Sequence, residues 1–187
     1  MKTADNLFSR LMTMTDEVWD RHANPWSVWT RVVTGLPLIL GAFWSVRLLG
    51  WLSLPVIFAV FFWIWINPRF FSRPTRTDNW ASKVTFGERV WLNRKKLPIP
   101  SHHARWATVL SVVSGVGFLV AVYGAVQHQL NLTLLGGVVS WFGKMWFCDR
   151  MVWLFEDMKD TNATYLSWVR LGDAGSGDAG SRNGEQK

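Results

Sequence analysis

Four apolar runs, residues 32–46, 48–66, 106–126 and 130–147, constrain what this 187-residue chain can fold into. A helix of about 20 predominantly apolar residues matches the roughly 30 Å hydrocarbon core of a bilayer. Lipid offers no partner to a backbone N–H or C=O, so segments of this kind satisfy their own polar groups as helices. The expected fold class is therefore all-α: a polytopic membrane helical bundle of four transmembrane helices in two short hairpins, with amphipathic interfacial helices added. The spans are expected at about 30–47, 51–67, 104–126 and 130–155, within one membrane-embedded domain covering 1–160. Residues 161–187 include GDAGSGDAGS, small and acidic, and are expected to form a mostly disordered cytoplasmic tail.

Charge sets the expected orientation. Residues 67–105 carry nine basic side chains against Asp78 and Glu88, while the basic and acidic groups of the remaining segments nearly cancel. The positive-inside rule then puts that loop and both termini in the cytoplasm, and the uncharged turn Gln127 to Asn131 outside. Residues 1–20 lack the continuous apolar core of a secretory signal, so the first span is expected to direct insertion into the inner membrane. The 14 tryptophans concentrate near the span ends and read as an aromatic belt. The one cysteine, Cys148, excludes an intrachain disulfide and any cysteine-rich metal site.

The first two spans look short. Between Arg31 and Arg47 lie residues enough for about 22 Å of helix, so a tight spanning hairpin turned at Leu48 to Trp51 is expected, with Pro37 and Pro55 near their helix starts. In the third span Ser111, Ser114 or Gly115, and Phe118 recur at helical spacing as a small-residue face. Residues 5–20 and 79–92 are amphipathic and are expected to lie in the headgroup zone, with Arg94, Lys95 and Lys96 against anionic lipid.

Local motifs mostly have structural readings. Asn24 caps a helix opened by Pro25, with Trp26 and Trp29 on one face. Asn67, before Pro68, reads as the stop of the second span. Ser101 reads as the cap of the third, which places His102 and His103 in its first turn about 100° apart, poorly set to share a metal. On the fourth helix Phe142, Trp146, Asp149, Trp153 and Glu156 fall on one stripe. Asp149 and Glu156 stand about 10.5 Å apart along the axis, too far for one ion, so no metal signature is complete. A metal, if held, would draw on His22, His102, Asp149 and Glu156. The alternative reading has Lys144 snorkelling and Asp149 and Arg150 paired with opposite charges on neighbouring elements. No P-loop, GxGxxG, HExxH, GxSxG or CxxC motif is present, and the cofactor is unknown.

The stretches HANPWSVWTR, NPRFF, DNWASKVTFGERVWLNRK and WFCDRMVWLFEDM, between residues 20 and 160, resemble an uncharacterised family of small Trp-rich prokaryotic multi-pass membrane proteins. That resemblance implies an integral inner-membrane protein and carries no activity.

The functional expectation is a cytoplasmic-side, polar, Trp-walled pocket built from His22, Trp26, Arg31, Glu88, Arg89, Asp149, Arg150 and Trp153. It would bind a lipid headgroup, of anionic lipid in particular, or a membrane protein partner or second copy. Two alternatives stand beside it: a membrane enzyme acting on a lipid or hydrophobic substrate, with metal assistance, and an accessory subunit of a larger membrane complex. The basic charge faces the membrane, so nucleic acid is not an expected partner.

Overall fold

The computed structural model describes residues 15–172. Most of the amphipathic helix expected at 5–20 and the tail beyond 172 lie outside them. Among the described residues the chain is all-α, with one isolated bridge between Arg76 and Leu171.

Helix α1, Asp16–His22, is capped by Thr15, whose Oγ1 accepts from Val18 N at 3.3 Å. Asp16 and Glu17 lie in its first turn and Arg21 in its last, which suits the helix dipole. Helix α2, Pro25–Leu49, begins as the sequence predicts: Asn24 Oδ1 accepts from Trp26 N at 2.9 Å and Pro25 occupies the first position. A tight turn at Gly50–Leu52 leads into α3, Ser53–Phe70. Gly50 has φ of 54°, a left-handed conformation in which a side chain would be strained.

The α2–α3 stretch doubles back on itself. Ser27, near the start of α2, donates to Asn67 Oδ1 near the end of α3 at 3.1 Å, and Asn67 Nδ2 donates to Thr30 Oγ1 at 3.0 Å. Asn67 is fully buried inside the helix, not its terminus. Those two side-chain bonds override the local preference against helix before a proline. Pro37 likewise lies well inside a helix, because α2 already starts at Pro25. With 25 residues, α2 is about 37 Å long and takes in Arg31.

Two stretches are long and apolar enough to cross a membrane: Pro25–Phe70, 46 residues, and Ser101–Val126, 26 residues. The four expected spans are thus not all distinguished. The first two fall within one stretch, and the fourth is not apolar enough, since Asn131 and Lys144 interrupt it.

Helix α4, Trp80–Leu92, is capped by Asn79, which accepts from Ser82 N at 3.0 Å. Helix α5, Ser101–Val126, starts at Ser101 itself; the capping position falls on Pro100 and has no side-chain bond. Helix α6, Leu130–Met158, runs unbroken through the charged stretch at 144–158. The short α7, Ala163–Leu166, follows a turn at Lys159–Thr161.

Helices α5 and α6 pack at backbone contact. A Cβ on Gly136 would stand 2.4 Å from Ala121 N, one on Gly124 2.5 Å from Thr133 N, and one on Gly117 2.6 Å from Ser140 N. Of the small-residue face expected on α5, Ser114 joins the close approach, packing on Gly143 and donating to Ser140 O at 2.9 Å, while the tightest contacts use Gly117, Ala121 and Gly124 and Gly115 meets nothing within 4 Å. Two small stripes run side by side on this helix, and composition does not rank them.

Helix α4 has the predicted amphipathic pattern, yet its apolar face is buried against α6. Val84, Phe86 and Val90 join Met151, Leu154 and Phe155 in the core. The stripe Phe142, Trp146, Trp153 is the exposed side of α6.

Residues 161–172, expected in the tail, complete this core. Trp168 lies 5.6 Å from Phe86 and 4.9 Å from Tyr165, ring to ring. Thr77 fastens it, donating from Oγ1 to Trp168 O at 2.9 Å and accepting from Arg170 N at 2.7 Å. Two large aromatic side chains give this segment enough apolar surface to offset the entropy of ordering it.

Candidate functional site

A cavity of about 760 Å³ lies between α1, α2, α4, α5 and α6. It is graded from one end to the other. His22, Arg31, Glu88 and Lys144 line the charged end, at the level where α1 and α4 cover the bundle. Two turns further along α2 and α5 the wall becomes Gly35, Leu36, Ile39, Gly115 and Phe118, with Ile64 of α3 added. From Arg31 to Ile39 is about 12 Å of helix.

The charged end is wired from several elements. Arg31 Nη1 lies 2.8 Å from His22 Nε2, and Arg31 Nε donates to Ser27 O at 2.9 Å. Lys144 Nζ pairs with Glu88 Oε1 at 2.7 Å, joining α6 to α4. The cations outnumber the single carboxylate, and Arg31 makes no ion pair among the described residues. Burial first, then the Arg31 and Lys144 charges, hold the His22 pKa well below 6.5, so the ring is neutral near pH 7.

Arginine can only donate, so His22 Nε2 accepts and the ring proton sits on Nδ1. That Nδ1 is buried and without an acceptor among the described residues; so is the indole N–H of Trp91, another wall residue. Buried donors are ordinarily satisfied. Arg31 and Lys144 against the single Glu88 carboxylate leave this end with an excess of positive charge, which suits a negatively charged group.

Of the residues expected in a pocket, the structure brings His22, Arg31 and Glu88 together and places the others elsewhere. Trp26 and Trp153 are exposed. Arg89 pairs with Asp16 and lies over the Trp168 ring at 4.3 Å. Asp149 accepts from Trp80 Nε1 at 3.4 Å, and Arg150 sits between the rings of Trp106 and Trp153, at 5.6 and 5.1 Å. Neither makes the ion pair expected of it among the described residues; aromatic rings take the place of counter-charges.

Lys144 was the missed member. It is the one charge inside the fourth apolar run, and the fold sets it against Glu88 of α4. Thr85, Cys148, Ser111 and Ser114 carry no comparable signal in the sequence, and they reach the wall through tertiary packing.

The metal set His22, His102, Asp149 and Glu156 does not converge. His22 is bonded to Arg31, Asp149 to Trp80, and Glu156 lies between Lys83 at 2.6 Å and Lys159 at 2.5 Å. His102 instead lies beside His103, with ring centroids 4.1 Å apart, close to Asp157.

The stretches that build this end, from HANPW through WFCDRM, are those on which the sequence resemblance rested, and residues 3–170 match DUF6653, a family of unknown function. The chain belongs to DUF6653. The match takes in every helix described above, so the cavity lies wholly within the region that defines DUF6653. No curated protein and no solved structure matches the chain.

Proposed function

We propose that this DUF6653 protein is a four-span inner-membrane protein whose cavity binds one anionic amphiphile, with the headgroup against Arg31, Lys144, His22 and Trp91 and the hydrocarbon chain along Gly35, Ile39 and Phe118. The observation that carries this reading is the gradient within one cavity, from an excess of cationic side chains to an apolar trough. Its volume lies in the range of about 300–1,000 Å³ usual for small-molecule sites. Arginine suits a phosphate or carboxylate headgroup because its planar fork matches two oxygens at once. The excess of basic residues in 67–105 supports an orientation with the charged end at the cytoplasmic face.

Native mass spectrometry of the full chain extracted in mild detergent tests the reading. One anionic lipid retained per chain is expected, reduced at least tenfold in Arg31→Gln and Lys144→Gln and unchanged in Arg150→Gln, which lies away from the cavity. Absence of retained lipid, or equal retention in all three variants, would overturn it.

A further inference from the structure

A second site stands at the junction of α5 and α6, apart from the cavity. His102 and His103 open α5, and Asp157 closes α6; each offers a ligand atom, and the three atoms lie within 4.8 Å of one another. His103 is 2% exposed, so its ring is held by packing, and its Nε2 lies 2.7 Å from Asp157 Oδ2. Its Nδ1 is buried with no partner among the described residues. His102 and Asp157 are exposed at the surface, so a buried ligand is flanked by two that solvent reaches.

We infer that His102, His103 and Asp157 hold one divalent transition-metal ion of the zinc class. Ligand atoms around a tetrahedral zinc stand about 3.3 Å apart, so the observed spread closes by side-chain rotation without moving either helix. The histidines come from one helix and the carboxylate from another, which gives the ion a reason to pin the start of α5 to the end of α6. Two imidazoles and one carboxylate suit zinc, cobalt, nickel or copper; calcium and magnesium prefer all-oxygen shells. Three protein ligands leave a fourth position open to water. Helical spacing alone argued against this pairing, because it ignores the rotamers that stack the two rings 4.1 Å apart.

The test uses the untagged full chain in detergent, stripped with a chelator and titrated with Co²⁺ and then Zn²⁺. One Co²⁺ per chain is expected, with visible absorption of a four-coordinate centre, displaced by Zn²⁺ and not by Mg²⁺. His102→Ala and Asp157→Asn, both at exposed positions, should each weaken binding at least tenfold, while His128→Ala leaves it unchanged. Binding should also raise the melting temperature of the wild-type chain and not of His102→Ala. No cobalt spectrum, or equal binding by wild type and both variants, would overturn the assignment.

Discussion

Arg31 Nη1 stands 2.8 Å from His22 Nε2, tying the first turns of α2 to the last residue of α1 inside the charged end of the cavity. The contact adds to burial in keeping His22 neutral, because a proton on Nε2 would face the guanidinium. Burial lowers the His22 pKa first, with Arg31 and Lys144 adding to it. The unfolded chain therefore binds a proton near pH 6.5 that the folded chain refuses. Stability is fully present above about 6.5 and is lost as pH falls below it, at up to about 1.4 kcal/mol per pH unit. Melting of the wild type should drop between pH 7.5 and 5.5, and His22→Gln should remove part of that slope; parallel curves would show that His22 is not the group responsible.

Gly87 of α4 meets the backbone of α6 so closely that a Cβ would lie 1.9 Å from Met151 O. Backbone cannot yield as a side-chain tip can, so Gly87→Ala should cost about 1–3 kcal/mol or more through displacement of α4. Gly115, also helical but with open space around it, supplies the contrast: Gly115→Ala should be neutral or stabilising by up to about 1 kcal/mol. Thermal melts of the two variants in the same detergent check both signs at once.

Trp168 fills the gap between Phe86, Phe155 and Tyr165 and takes the Arg89 guanidinium on its face. Trp168→Ala should cost about 3–5 kcal/mol. It should also release residues 161–172 to limited proteolysis at protease levels that leave the wild type intact. A variant that resists cleavage equally well would show that Thr77 and Arg170 suffice to hold the segment.

The proposed orientation predicts which residues a membrane-impermeant maleimide reaches in intact cells. In a Cys148→Ser background, Gln129→Cys should label from outside, and Lys96→Cys only after permeabilisation. The reverse pattern would invert the topology, and labelling of both from outside would exclude a hairpin that spans.

Hydrophobic runs and caps were legible one segment at a time. The Asn24–Pro25 start of α2, the α2–α3 turn near Gly50 and the amphipathic pattern of α4 all rest on interactions within a few residues, which is why the sequence showed them. The candidate site was legible in part. His22, Arg31 and Glu88 stand out as ionisable groups at one depth, whereas Lys144 reads as a snorkelling anchor and only tertiary packing sets it 2.7 Å from Glu88.

Sequence by itself determined that the chain is helical, that its apolar surface is concentrated in long runs, and that its excess positive charge sits in one connection. These follow from composition and periodicity, which act locally. Tertiary structure decided which faces meet. It turned the apolar side of α4 onto α6 and drew Trp168 out of an apparent tail into the core. It also put the tightest α5–α6 contacts at Gly117, Ala121 and Gly124, and it left Asp149 and Arg150 among tryptophans while gathering Arg31, Lys144 and His22 around a cavity. The physical reason is common to all of these: close packing selects one register among several that hydrophobicity permits, and it depends on the shapes of residues far apart in the chain.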